Sequence, residues 1–253
     1  SLNFRKIYGP PKLMLKLAEH RFFYSPTVFS QVNPFILPEM INRMREMISA
    51  PFLIKTPEEA GHTGLAPREA GLTGIFPRLV DLYCGYGLFG ILFSGNFREV
   101  YSMELNPQAI RDAWENSKNY ERPQENPALE NPSLKGRGKK SSLKAGEGAR
   151  GSRFHFKTEN ITRESLEKFL PPQGKPEIVI LDPPRGGAGE RVISALALRK
   201  PLGILHLFCN PDILPVELKI WKSKGYTPKR ILPVDMFPGT TGAEILVFLQ
   251  ENR

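Results

Sequence analysis

Residues 79–90, LVDLYCGYGLFG, run a short apolar stretch straight into glycines spaced G-x-G-x-x-G at Gly85, Gly87 and Gly90. An apolar run of that length closed by glycines reads as a buried strand turning sharply into a helix. Outward from it the pattern repeats. REVYSME (98–104) is a second strand, and Asn106-Pro107 then supplies a helix cap with proline at the first helical position. RFHFKT (153–158), EIVILD (177–182) and GILHLFC (203–209) read as further strands, with helices expected over 162–170, 189–199 and 212–224. RILPVD and AEILVFL follow as a closing strand pair. Strands alternating with short helices predict an α/β fold whose mostly parallel sheet is covered by helices on both faces.

Composition bounds the rest. The chain has 253 residues, 40% of them hydrophobic, enough for one large α/β domain or two small ones. No apolar run approaches the roughly 20 residues of a spanning helix, so no membrane role is expected. Cys84 and Cys209 are the only cysteines, too few for a disulfide framework or a thiolate metal site. The four histidines show no ligand-like spacing, so no metal is expected. Lys plus Arg number 35 against 26 acids, a net charge of +9 that fits a polyanionic partner without requiring one. Free thiols point to a reducing interior, the cytoplasm first, with organelle and nucleus left open. Nothing in the sequence reads out oligomeric state.

Residues 1–36 read as an entry segment, the remnant of an upstream region, since the chain opens on Ser1 with no signal pattern. Residues 37–253 then form the main domain, opening with a helix whose stripe is Leu37, Met40, Ile41, Met44, Met47 and Ile48. Two stretches break its rhythm and are expected to be flexible insertions. One is 55–76, with the short echo GHTGLAP and GLTGIFP. The other is 121–152, which holds three prolines, five glycines and a run of lysines and arginines.

The glycine loop, with Glu104 about 20 residues on at the end of the next strand, fits an adenosine cofactor whose ribose hydroxyls the acid grips. It fits a nicotinamide or flavin dinucleotide as well as S-adenosylmethionine. LDPPRGG (181–187) narrows that choice, because it ends the fourth strand and places Asp182 in the same crevice as Glu104. An acidic-Pro-Pro turn there is a habit of adenosine-dependent methyltransferases, not of dinucleotide oxidoreductases. HLFCNP puts Cys209 at the end of the fifth strand, level with both acids, while Cys84 is expected to pack inside the glycine turn. Glu244 opens an apolar strand, where an unpaired carboxylate is costly unless it works.

Taken together, FSQVNP (29–34), DLYCGYGLFG, MELNPQAI (103–110), LDPPRGG, FCNP (208–211) and DMFPGTTGAE (235–244) resemble, in order, the catalytic domain of the RNA uracil-5-methyltransferase family. The resemblance implies a Rossmann-like class I methyltransferase fold with a seven-stranded sheet. It implies S-adenosylmethionine as cofactor, with Gln31, Tyr83, Gly85, Gly87, Glu104 and Asp182 as its contacts. It also implies Cys209 as the nucleophile, Glu244 as the base, and a uridine of transfer or ribosomal RNA as the substrate. The chain departs from the family at Leu88, where members usually carry Asn, and at Gly242-Ala243-Glu244, where they usually read His-Val-Glu. Pro215 is unusual after the nucleophile, and the family's upstream RNA-binding region is mostly or wholly missing. These departures keep a catalytically degenerate RNA-binding relative in view, beside another S-adenosylmethionine or dinucleotide enzyme.

Overall fold

The structure, a computed structural model, describes residues 9–31, 33–49, 76–120, 153–236, 238–240 and 243–252. Its centre is a seven-stranded sheet built from β3 (Phe76–Leu82), β4 (Phe97–Glu104), β5 (Phe154–Thr158), β6 (Glu177–Leu181), β7 (Gly203–Phe208), β8 (Tyr226–Val234) and β9 (Glu244–Glu251). The order across the sheet is β5-β4-β3-β6-β7-β9-β8. The first five of these run parallel, and β9 is antiparallel to both β7 and β8. The mostly parallel α/β sheet expected from the sequence is therefore the one observed.

Strand alternation explains why both faces are covered. Leu79, Ile178, Ile180, Leu205, Leu207, Leu246 and Phe248 point into one hydrophobic cluster, and their neighbours Val80, Val179, Leu181, Ile204, Val247 and Leu249 into the other. A strand buried on both sides needs this unbroken apolar run. The first cluster takes in α1 (Leu37–Ser49), α2 (Leu88–Phe93) and Ala109 of α3 (Pro107–Ser117). The second takes in α4 (Arg163–Phe169), α5 (Glu190–Leu198) and Trp221 of α6 (Leu214–Ser223). Asn106 caps α3, its side chain accepting from the Gln108 amide, with Pro107 in the first turn as expected. Pro215 likewise sits in the first turn of α6, where no intrahelical amide is required.

The described part of the entry segment is more structured than the sequence reading allowed. β1 (Leu13–Leu17) and β2 (His20–Tyr24) form an antiparallel hairpin, and Leu15, Leu17 and Phe22 join the first cluster. The hairpin docks on α3 through the Phe23 amide and carbonyl, both bonded to the Asn116 side chain. Of the expected insertion at 55–76, Phe76 opens β3, and the remainder lies outside the described residues. The whole of 121–152 lies outside them as well.

Candidate active site

Ligands of open α/β sheets lie beyond the carboxyl ends of the strands, where neighbouring chain connections depart in opposite directions. Here that point lies between β3 and β6, and a cavity of about 540 Å³ opens there. Gln31, Tyr83, Gly85, Glu104, Asp182, Cys209 and Glu244 all line it. Residues spread over 213 positions of sequence thus meet because each closes or opens a strand, or, for Gln31, precedes α1.

Glu104 ends β4 and accepts from two amides, Gly85 N at 3.3 Å and Asn106 N at 2.8 Å. These bonds aim the carboxylate across the glycine turn. Tyr83 stands at the end of β3 with φ of 60°, a left-handed conformation that costs a non-glycine residue about 1 kcal/mol or more. Its amide still bonds Met103 O at 2.9 Å, so the strain is imposed by the β3–β4 pairing. Burial, with Glu217 and Glu104 nearby, pushes its phenol up to about 12. Gln31 reaches across the cavity to Asp182, Nε2 to Oδ2 at 3.4 Å.

Gly87 does not line the cavity. It precedes α2 with φ of 83°, and a Cβ there would lie 2.8 Å from Ile91 Cδ1 and 3.0 Å from Ala113 Cβ. Its absent side chain lets α2 and α3 approach each other. Leu88 is buried in the first cluster and takes no part in the cavity either.

The electrostatics are lopsided. Burial raises Asp182 well above the carboxylate range, and Glu244, Asp81 and Glu104 push it further. Glu244 is only 5% exposed, and burial raises it too, opposed by Arg185. The half-buried Cys209 thiol is raised first by burial and then by Glu244 and Asp182, again opposed by Arg185. A pocket with three carboxylates and one guanidinium at its rim favours a cationic ligand over an anionic one. Cys84 is buried and its thiol raised well above the usual value, so it packs as an inert residue.

Sequence reading missed part of the lining. Leu105, Asn106 and Ala109 follow Glu104, and Asn160 and Ile161 follow β5. Both groups sit at strand carboxyl ends, and that position was the available signal. Gly242, one of the departures from the family pattern, lies outside the described residues.

No protein-family model matches the chain. It is 26% identical over 243 residues to an uncharacterized RNA methyltransferase of Enterococcus faecalis, covering 96% of this chain and 42% of that one. An uncharacterized RNA methyltransferase of Listeria monocytogenes is 28% identical over 242 residues, with 96% and 41% covered. The chain thus spans less than half the length of the curated relatives it matches. Among solved structures, a Pyrococcus abyssi tRNA (uracil-54, C5)-methyltransferase in complex with S-adenosyl-L-homocysteine superposes with a TM-score of 0.61. That likeness covers 96% of this chain and 45% of the other at 21% identity, and it establishes the class I methyltransferase fold. The similarity suggested by short motifs therefore extends along nearly the whole chain.

Proposed function

We propose that this chain is the methyl-transferring domain of an RNA methyltransferase, acting on carbon 5 of a uridine with S-adenosylmethionine as donor. The observation that carries the reading is the pairing of a half-buried thiol, Cys209, with a buried carboxylate, Glu244, in one cavity with Glu104 and Asp182. Similarity to proteins named RNA methyltransferase supports the substrate class.

The residues present fit the cofactor. Glu104, pre-aimed by two amides, suits ribose hydroxyls, and the acid-rich wall suits a ligand bearing positive charge. Asp182 and Gln31, already within 3.4 Å of each other, would hold its other end. When bound, the cofactor supplies an electrophilic methyl group.

Carbon 5 of uracil is a weak nucleophile. Cys209 would add through its sulfur to carbon 6, placing enolate density on carbon 5, which then accepts the methyl group. Glu244 would next take the carbon-5 proton, so that the carbon–sulfur bond breaks and the thiolate leaves. A carboxylate raised by burial is a stronger base once ionised, which suits that step. The raised thiol must lose its proton first, and Arg185 and the donor's positive charge both favour that loss. The target base must be unstacked to reach the sulfur, at roughly a few kcal/mol.

The test is incubation with methyl-labelled S-adenosylmethionine and unmodified bulk RNA, followed by nucleoside analysis. Label in 5-methyluridine is the expected result, and label in any other nucleoside overturns the reading. Cys209→Ser should reduce turnover by roughly a thousandfold or more while cofactor binding stays within about twofold. Glu244→Gln should accumulate a covalent RNA adduct that survives denaturing electrophoresis. Absence of that adduct in an otherwise methylating protein would move the base elsewhere.

A further inference from the structure

Behind the cavity lies a buried polar cluster that the chemistry above does not use. Glu217, in the first turn of α6 and eight residues beyond Cys209, is only 2% exposed. Its carboxylate accepts from Gly189 N at 2.7 Å and from the Ala188 amide. Those amides belong to the turn that begins Asp182-Pro183-Pro184-Arg185, which forms one wall of the cavity. The turn is folded around the carboxylate. Gly187 and Gly189 both have φ of 79°, and a Cβ at Gly187 would collide with Glu217 Oε1 and lie 2.8 Å from Ile213 Cγ2.

The other side of Glu217 faces His206 on β7, three residues before the thiol. Trp221 Nε1 donates to His206 Nδ1 at 3.2 Å, so the ring proton sits on Nε2, which lies 3.3 Å from Glu217 Oε2. Neither Nε2 nor Oε2 has a well-aligned hydrogen bond, so their approach is a dipole held against a carboxylate by packing. Burial drives His206 down to about 3, which leaves it neutral at working pH. One buried carboxylate thus ties the strand that ends in Cys209 to the turn that carries Arg185. A second tie runs in parallel, Asn210 Nδ2 to Arg185 O at 3.2 Å.

We infer that Glu217 is a positioning residue: its buried carboxylate, clamped between His206 and the amides of Ala188 and Gly189, holds the Pro183–Arg185 turn against Cys209. A carboxylate serving only to fill space would be expensive there, because burying it unpaired costs several kcal/mol. What its placement secures is the seat of Arg185 beside a thiol that burial first, and then Glu244 and Asp182, hold protonated, and whose ionisation Arg185 favours. The inference rests on Cys209 being the working thiol, and its test needs neither RNA nor cofactor.

The test is the pH dependence of Cys209 alkylation by iodoacetamide, with Cys209→Ser giving the background from Cys84. Arg185→Ala should move the thiol titration to higher pH and slow alkylation at pH 8 by roughly threefold, since thiolate fraction changes tenfold per pKa unit. Glu217→Ala should shift it in the same direction, and Glu217/Arg185 double replacement should go no further than Arg185→Ala alone. Gly187→Ala, which attacks the same contact from the turn, should reproduce the shift. Should Glu217→Ala fail to fold, Glu217→Gln keeps an acceptor for Gly189 but turns an amide donor toward His206, and predicts a smaller shift of the same sign. A folded Glu217 variant with the wild-type thiol profile overturns the inference, as does a shift additive with that of Arg185→Ala. If that non-additivity holds while no 5-methyluridine forms, the functional reading fails and the positioning role stands.

Discussion

Asp81 sits one strand residue behind the cavity, fully buried, with Oδ2 accepting from Gly90 N at 2.8 Å and Oδ1 unpartnered. Burial raises it to about 7, the Gly90 amide opposes the shift, and Glu104 adds to it. Its folded pKa lies above the unfolded value of 3.8, so the native state binds the extra proton between about 4 and 7. The resulting stability is fully present below about pH 4 and is lost as pH rises through 7. His206 works from the other side: its folded value of about 3 lies below the ordinary 6.5, so stability falls as pH drops below 6.5. Asp81→Asn should therefore leave the acid limb unchanged and lift stability above pH 7, by about 4 kcal/mol at most. Urea midpoints from pH 4 to 9 would show it, and parallel curves for variant and wild type would refute it. At this scale legibility was uneven. Glu104, Asp182, Cys209 and Glu244 could be found because each marks a strand end. Gln31 rested on resemblance alone, while Asp81, which opens DLYCGYGLFG, and Glu217, which lies in no motif, went unmarked because their importance lies in which amides fold around them.

The central strands of the sheet were legible because burial on two faces leaves a plain mark, a short and mostly apolar run such as IVIL in β6 or ILVFL in β9. The β1–β2 hairpin was not, although its period-two pattern was present, with Leu15, Leu17 and Phe22 inward and Met14, Lys16 and Phe23 outward. What hid it was the turn. Leu17 pairs with His20 across Ala18-Glu19, and neither residue is a customary hairpin-turn residue. Ala18 has φ of 50°, a conformation that costs an alanine about 1 kcal/mol relative to glycine. Ala18→Gly should accordingly stabilise the protein by roughly 0.5–1 kcal/mol, visible as a higher urea midpoint with unchanged slope. Destabilisation would mean that the turn tolerates alanine without strain. Gly87 illustrates the converse case, where a motif glycine legible as a ligand contact stands outside the cavity lining and spaces α2 from α3.

For the molecule as a whole, the question is how the hairpin's attachment bears on a cavity formed mainly by the sheet. Asp112 of α3 is fully buried and accepts from Ser25 N at 2.6 Å, Ser25 Oγ at 3.2 Å and Gln108 Nε2 at 3.0 Å, with Lys12 Nζ 3.0 Å away. Lys12 also reaches Glu115 on the same helix. These bonds pin both ends of the hairpin, and the chain leaving it supplies Val28, Phe29 and Gln31 to the cavity wall. Tyr86 of the glycine turn joins the same unit, stacked on Tyr24 at 4.9 Å and bonded to Ser30 at 3.1 Å. Asp112→Ala would leave the half-buried Ser25 amide and hydroxyl without their acceptor, while Lys12 keeps Glu115, a loss of about 2 kcal/mol. The consequence should reach further than stability. Hydrogen exchange across 13–24 should accelerate, and affinity for S-adenosyl-L-homocysteine, read by calorimetry, should weaken roughly three- to tenfold as Gln31 loses its fixed approach to Asp182. Faster exchange with unchanged affinity would show that the hairpin is merely attached to the sheet. Weakened affinity, in a variant whose sheet amides stay protected, would make residues 13–31 a working part of the ligand site.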